Sequence, residues 1–216
     1  MATVIGIMAP SGAGKTTGAR TLDPKTTFYI DADKKGLSWK GWKKSYTYEG
    51  HNYMATDNPS TVQSLLEKIN AQDNMKQIKT VVIDTMNSIM VAEELRRAKE
   101  TGFGKWIDLS QFVWNILDYC LGMRDDLTVF ILFHSETITD EVTGDTITRI
   151  KTNGRKLEKI VLESKLTTVL YADCVNGEYV LRTKLENSTI KAPMDAFATD
   201  TIPNDLEAVR KALEEY

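Results

Sequence analysis

Nowhere does this 216-residue sequence string together the ~20 apolar residues that a helix needs to cross a bilayer. Its opening residues, MATVIGIMAPSG, are apolar only briefly and lack a basic lead-in. They do not read as a secretion signal; they read as a first β-strand. Cysteine is nearly absent. Cys120 and Cys174 lie far apart, fit no metal-ligand spacing, and without an export signal are expected as reduced thiols. There is no excess of positive charge either. A net charge of −3 excludes a globally polycationic nucleic-acid binder and leaves any such partner to a local basic surface. Repeats, low-complexity tracts and linkers are also missing, so one domain over residues 1–216 is expected. By elimination the expected location is the cytoplasm.

What is present is an ordinary core-forming composition, 42% hydrophobic and 26% charged, arranged as alternating strand and helix patterns. Apolar or β-branched runs at Thr3–Ala9, Thr26–Asp31, Thr80–Asp84 and Leu127–Phe133 predict strands, the last nearly all apolar, as a strand covered on both faces should be. Helices are predicted over Lys15–Leu22, Pro59–Ala71 with Asn58 as N-cap, Asn87–Lys99 and Trp106–Met123. This alternation implies an α/β fold with a mostly parallel central sheet and helices on both faces. After Phe133 the pattern changes. A hairpin is predicted over Thr137–Ile150, a helix near Arg155–Ser164, and strands at Thr167–Val175 and Tyr179–Leu185 around the turn Asn176-Gly177. A charged helix closes the chain from Asn204 to Tyr216.

The run Ala9-Pro10-Ser11-Gly12-Ala13-Gly14-Lys15-Thr16 fits the P-loop pattern except at its first position, where alanine replaces glycine. Its glycines let backbone N–H groups converge on phosphate oxygens, and the helix beginning near Lys15 adds the positive end of its dipole. Lys15 is expected on the β- and γ-phosphates, the Thr16 hydroxyl on Mg²⁺, and Thr17 at the edge of the site. Val81-Val82-Ile83-Asp84 has the Walker B form, a buried strand ending in a carboxylate that would hold the Mg²⁺ shell opposite Thr16. ATP and Mg²⁺ are therefore the expected ligands.

The second strand ends Ile30-Asp31-Ala32-Asp33 and continues Lys34-Lys35-Gly36. Here the sequence resembles RecA-type ATPases, in which the strand after the P-loop helix ends in an Asp-Ala-acid run. The resemblance makes Asp33 the catalytic carboxylate, where that family usually carries glutamate; Asp31 and Asp33 as simple turn residues is the competing reading. It also makes His134, at the end of Phe133-His134-Ser135-Glu136, the polar sensor beside the γ-phosphate, with Glu136 a second water-orienting acid; a solvated strand-end histidine is the alternative. The chain looks most like the small phage-encoded RecA-like ATPases of recombination and annealing modules. That implies single-stranded DNA as partner, assembly into a ring or filament, and a phage-infected bacterial cell as setting.

RecA-like proteins bind DNA through two loops after Walker B. The matching segments here carry Arg96, Arg97, Lys99 and Lys105, and Arg149 and Lys151. Trp39–Tyr46 (WKGWKKSY) interleaves rings with lysines as single-strand binders do, though those rings equally suit a core or a subunit contact. The family's trans-acting cation, given by a neighbouring subunit, has candidates in Arg155, Lys156, Arg182 and Lys184. Two other functions remain open: a P-loop nucleotide or small-molecule kinase, against which stands the absence of an arginine-rich lid, and an ATP-gated interaction module with little turnover.

Overall fold

The computed structural model describes residues 1–102, 104–139, 141–152, 161–214 and 216. Its centre is a sheet in the order β3-β2-β4-β5-β1-β7-β8-β9. The strands are β1 (Thr3–Ala9), β2 (Thr27–Asp31), β3 (Tyr53–Ala55), β4 (Thr80–Asp84), β5 (Thr128–Thr139), β6 (Thr146–Ile150), β7 (Thr168–Val175), β8 (Glu178–Arg182) and β9 (Thr201–Pro203). From β3 to β7 the pairings are parallel; β8 and β9 add antiparallel. The fold is thus the α/β arrangement expected, with antiparallel strands at the C-terminal end.

Side-chain alternation along β1 explains how one sheet serves two layers. Val4 and Met8 face one apolar cluster, Ile5, Ile7 and Ala9 the other. On the first face lie α3 (Pro59–Ala71), α4 (Met86–Arg96) and α5 (Gly104–Gly122), which contribute Val62, Leu66, Ile89, Val113 and Leu117. The second face is covered by Ala13, Ala19 and Leu22, which flank α1 (Lys15–Gly18), by Leu206 and Val209 of α6 (Leu206–Ala212), and by aromatic residues beside the short α2 (Trp42–Ser45). Each fully buried Leu, Ile or Phe contributes roughly 1.5–3 kcal/mol of transfer free energy, so both layers are held chiefly by this burial. Asn58 caps α3 as its sequence position predicts, accepting from the Ser60 and Thr61 amides at 2.9 and 3.2 Å with Pro59 at the first helical position.

Several expectations are corrected. The helix after the P-loop ends at Gly18, followed by a 3₁₀ turn at Ala19–Thr21. A side chain at Gly18 would collide with Asn204, whose segment crosses here. The fourth strand does not stop at Phe133: β5 runs on to Thr139 and pairs antiparallel with β6, forming the predicted hairpin as a continuation of the central strand. The helix expected near Arg155–Ser164 falls largely outside the described residues; Leu162–Lys165 is a 3₁₀ turn. Three short elements, α2, β3 and β9, were not anticipated.

The two thiols differ in the way burial dictates. Cys120 is fully buried, which pushes its pKa up to about 12, whereas Cys174 is exposed. Thiol reagent at pH 8 is expected to label one cysteine in the folded protein and both after denaturation. Equal labelling of both under native conditions would contradict this packing.

Candidate nucleotide site

The sheet order leaves β1 separated from β2 by β4 and β5, and ligands of open α/β sheets bind at the carboxyl ends of strands where the order reverses. Register places the ends together: Ala9 lies beside His134, and Asp31 beside Asp84. A cavity of about 200 Å³ opens there, lined among others by Ser11, Gly12, Gly14, Lys15, Thr16, Thr17, Lys35, Asp84, Thr85, His134 and Tyr179.

The loop after β1 has the conformation its glycines permit. Gly12 and Gly14 take φ of 85° and 89°, the left-handed region where a side chain is strained. A Cβ on Gly14 would also stand 2.6 Å from the Tyr179 ring and 2.8 Å from the Asn204 amide nitrogen. Ala9, the departure from the pattern, is fully buried in the second apolar cluster, so its methyl group fills core space. The Lys15 ammonium donates to the carbonyls of Ala9 at 2.9 Å and Pro10 at 2.8 Å, curling the loop around its own side chain. Burial outweighs the attraction of Asp84 and pushes the Lys15 pKa down to about 8. Ser11, Ala13 and Thr17 complete the turn, and the Thr17 hydroxyl lies 2.9 Å from Ser38 Oγ.

Asp84 is almost entirely buried. Its Oδ2 accepts from Thr16 Oγ1 at 2.7 Å and from the Tyr29 hydroxyl at 2.6 Å. Its Oδ1 is buried with no hydrogen-bond partner, and burial raises the carboxyl pKa despite the Tyr29 and Thr16 donors. A desolvated carboxylate with an unsatisfied oxygen, next to a threonine hydroxyl, is a donor set suited to a hard divalent cation. Thr16 and Asp84 would hold Mg²⁺, which would neutralise phosphate charge there.

The two acids at the end of β2 and just beyond it, Asp31 and Asp33, divide their work. Asp31 is buried; its Oδ2 accepts from the Gly36 amide at 2.8 Å and from Tyr53 OH at 2.7 Å, so it shapes the turn. Asp33 lies behind the cavity-lining residues Lys35 and Thr85, to both of which it is hydrogen-bonded. Its Oδ1 accepts from Thr85 Oγ1 at 3.0 Å and from Ser88 Oγ, and its Oδ2 from the Lys35 ammonium. Burial would raise the Asp33 pKa, but Lys35, Ser88 and Thr85 together hold it below the usual carboxylate value, so it is ionised at neutral pH. The Asp84–Thr85 peptide bond is cis.

His134 is half-buried at the cavity wall, and burial together with the Lys15 charge lowers its pKa, so its imidazole is neutral at pH 7. Asn87, buried on α4, accepts from the His134 amide at 2.7 Å and donates to the Lys151 carbonyl at 2.8 Å. The Lys151 amide in turn donates to the His134 carbonyl at 2.8 Å. Hairpin and cavity wall therefore share one hydrogen-bonded joint.

A family described as AAA domain matches residues 1–191, spanning this loop, both acids and the histidine. The chain belongs to that AAA domain family. No curated protein sequence matches it. A solved structure, the crystal structure of the RadB recombinase, superposes with a TM-score of 0.51 at 14% identity, covering 83% of this chain and 79% of that one; at this identity the likeness concerns the fold. The expected RecA-like core is thus the fold of this AAA domain.

Other residues singled out in the sequence are dispersed. Glu136 points along the hairpin and accepts from Arg149 Nε at 2.9 Å, its cross-strand neighbour. Arg96 is engaged by Asp57 and Glu93, Arg97 by Glu100 and Asp108. Lys105 is buried with its ammonium 4.9 Å from the centre of the Trp106 ring. Lys99 and Lys151 are exposed. The Trp39–Tyr46 rings pack inward: Tyr29 meets Trp39 and Tyr46 at 6.4 and 5.8 Å between centroids, and Trp42 meets Tyr53 at 5.4 Å. Arg182 pairs with Asp173 at 2.7 Å and Lys184 with Asp200 at 3.3 Å. Arg155 and Lys156 lie outside the described residues.

Sequence reasoning passed over Lys35, Ser88, Tyr179 and Asn204. Ser88 stands three residues after Thr85 at the start of α4, a spacing that a helical reading could have used. Tyr179 and Asn204 reach the P-loop from the far end of the chain, with Asn204 Nδ2 donating to the Gly14 carbonyl at 2.8 Å. No local pattern marks either.

Proposed function

We propose that residues 1–216 form one RecA-like domain that binds Mg-ATP, hydrolyses it, and couples the cycle to single-stranded DNA in phage-type recombination or replication. The carrying observation is Asp33. It is ionised, held at one oxygen by Ser88 and Thr85 and at the other by Lys35, and two of those partners, Thr85 and Lys35, line the cavity opposite the P-loop. In the proposed reaction a water oxygen bonds to the γ-phosphorus while the bond from that phosphorus to the β,γ-bridging oxygen breaks. The water proton passes to Asp33 and then to solvent. Lys15 and the loop amides hold the phosphates; His134, neutral, reads the γ-phosphate as a hydrogen-bonding sensor.

Support for a DNA partner comes from the joint between Asn87, His134 and Lys151. A polymer held along the hairpin and the exposed Lys151 would be linked to the γ-phosphate side through these three hydrogen bonds. Recombination is in keeping with the RadB recombinase fold. Self-association into a ring or filament, with Arg155, Lys156, Arg182 or Lys184 reaching a neighbouring site, belongs to the same proposal.

The test is ATP hydrolysis measured with and without single-stranded DNA, and with nucleoside monophosphates as acceptors. Stimulation by DNA of about tenfold or more, a coupling of ~1.4 kcal/mol, is the expected result. Phosphate appearing on an acceptor would replace this reading with a kinase. Nucleotide binding without turnover under every condition would reduce the chain to an ATP-gated interaction module.

A further inference from the structure

Resting on the hydrolytic reading above, we propose that Lys35 is a catalytic residue that acts within its own subunit, its ammonium moving from Asp33 onto the γ-phosphate as the transition state forms.

The backbone after β2 is built to aim this side chain. Lys34 adopts φ of 56°, a left-handed conformation uncommon for a residue with a Cβ. The two adjacent lysines consequently diverge. Lys34 leaves the site and pairs with Asp57 at 2.7 Å, while Lys35 turns into the cavity wall and meets Asp33. The turn is fixed from below, where the Asp31 carboxylate accepts from the Gly36 amide. It is fixed from the side by Trp42, against which any side chain at Gly36 would collide. A lysine serving only solubility has no need of such a frame.

The chemistry of the cavity asks for a second cation. Two lysine ammonium groups, Lys15 and Lys35, and the Asp84 carboxyl gather around the cavity, with Asp33 joined to Lys35. A triphosphate brings further negative charge, and the transition state spreads it over the γ-phosphoryl oxygens. Two of the three Lys15 N–H donors go to loop carbonyls, which leaves one for phosphate. Lys35 is tied to one oxygen of Asp33, its side chain is 57% exposed, and its flexible stem allows the ammonium to swing. Movement of that ammonium releases Asp33 Oδ2 while Ser88 and Thr85 keep Oδ1 in place. One displacement therefore supplies a cation to the phosphate and uncovers the base. The other candidate cations, Arg182 at the end of β8 and Lys184 just beyond it, face Asp173 and Asp200.

Lys35→Ala removes the exposed partner of a half-buried ion pair, but Ser88 and Thr85 still donate to Asp33, and the variant is expected to fold. Its kcat is expected to fall by about 100-fold or more, with ADP affinity changed by less than about threefold and the affinity for ADP–aluminium fluoride lost in parallel with kcat. Lys35→Arg should recover part of both losses. Equal weakening of ADP and ADP–aluminium fluoride would overturn the proposal, as would unchanged turnover. A mixture of Lys35→Ala with Lys15→Ala chains separates cis from trans action. The Lys15→Ala chain carries an intact Lys35, so recovered hydrolysis would mean that Lys35 serves a neighbour, and would overturn the assignment; no recovery is expected. If the unaltered chain neither binds nor hydrolyses ATP, the underlying reading fails. If it does both and Lys35→Ala matches it, only the role of Lys35 fails.

Discussion

Replacing Asp33 with asparagine is expected to leave Mg-ATP binding intact and to cut hydrolysis by ~10²–10⁴-fold, the range supplied by a positioned general base. Asparagine keeps a carbonyl oxygen for the Ser88 and Thr85 hydroxyls that hold Asp33 Oδ1, so the end of β2 should keep its place. What disappears is the carboxylate that accepts the proton and pairs with Lys35. With that partner gone, the Lys35 ammonium is free to approach phosphate, and ATP should bind as tightly as before or tighter. Binding isotherms with a non-hydrolysable analogue, beside steady-state hydrolysis, separate the two effects. Hydrolysis at the unaltered rate would remove Asp33 from the mechanism. Loss of binding together with loss of turnover would make it a structural residue.

Lys15→Ala carries the second large expectation, the loss of nucleotide binding itself. Truncating one member of a desolvated charge pair costs on the order of 2–5 kcal/mol, roughly 30- to several-thousand-fold in affinity. The effect on the free protein should run the other way. A lysine whose pKa is lowered on folding is held charged at a cost to the folded state, and Lys15 is lowered to about 8, first of all by burial. Below that pH the cost is fully present; it is relieved as pH rises through about 8 toward the ordinary lysine value. Alanine removes it. Without nucleotide the variant should therefore be as stable as the unaltered chain at pH 7, or more so. At saturating Mg-ATP the unaltered chain should gain ~2.7 kcal/mol at a hundred times Kd and the variant nothing. Thermal denaturation with and without Mg-ATP reads both. A variant that still gains stability from Mg-ATP would show that the loop grips phosphate without its lysine.

The two expectations differ in how much of their basis the sequence displays. Lys15 sits in a run of eight residues whose spacing is dictated by phosphate geometry, and that run is local. Asp84 ends an apolar strand, and its role follows from proximity to the P-loop in the usual strand order. For Asp33 the Asp-Ala-Asp run marked the position, but its ionised state depends on Lys35 close by and on Ser88 and Thr85, which lie 55 and 52 residues away along the chain. The aromatic stretch from Trp39 to Tyr46 shows the opposite case. Its interleaved lysines resemble a single-strand platform, yet the rings belong to a cluster with Tyr29 and Tyr53; ring spacing along the chain does not say which side has the sheet.

The sequence by itself determined the alternation of strands and helices, the phosphate loop and the carboxylates at the strand ends, because each is written in neighbouring residues whose backbone needs are local. The tertiary structure alone decided which of two adjacent lysines enters the cavity, and that Tyr179 and Asn204 close on Gly14. It also decided that three-residue strands form at the sheet's margins. Strands that short carry no periodicity, and they exist because an adjoining strand offers unpaired amides and carbonyls to satisfy. Contacts between residues scores of positions apart depend on where the sheet brings the chain, which no window of sequence contains.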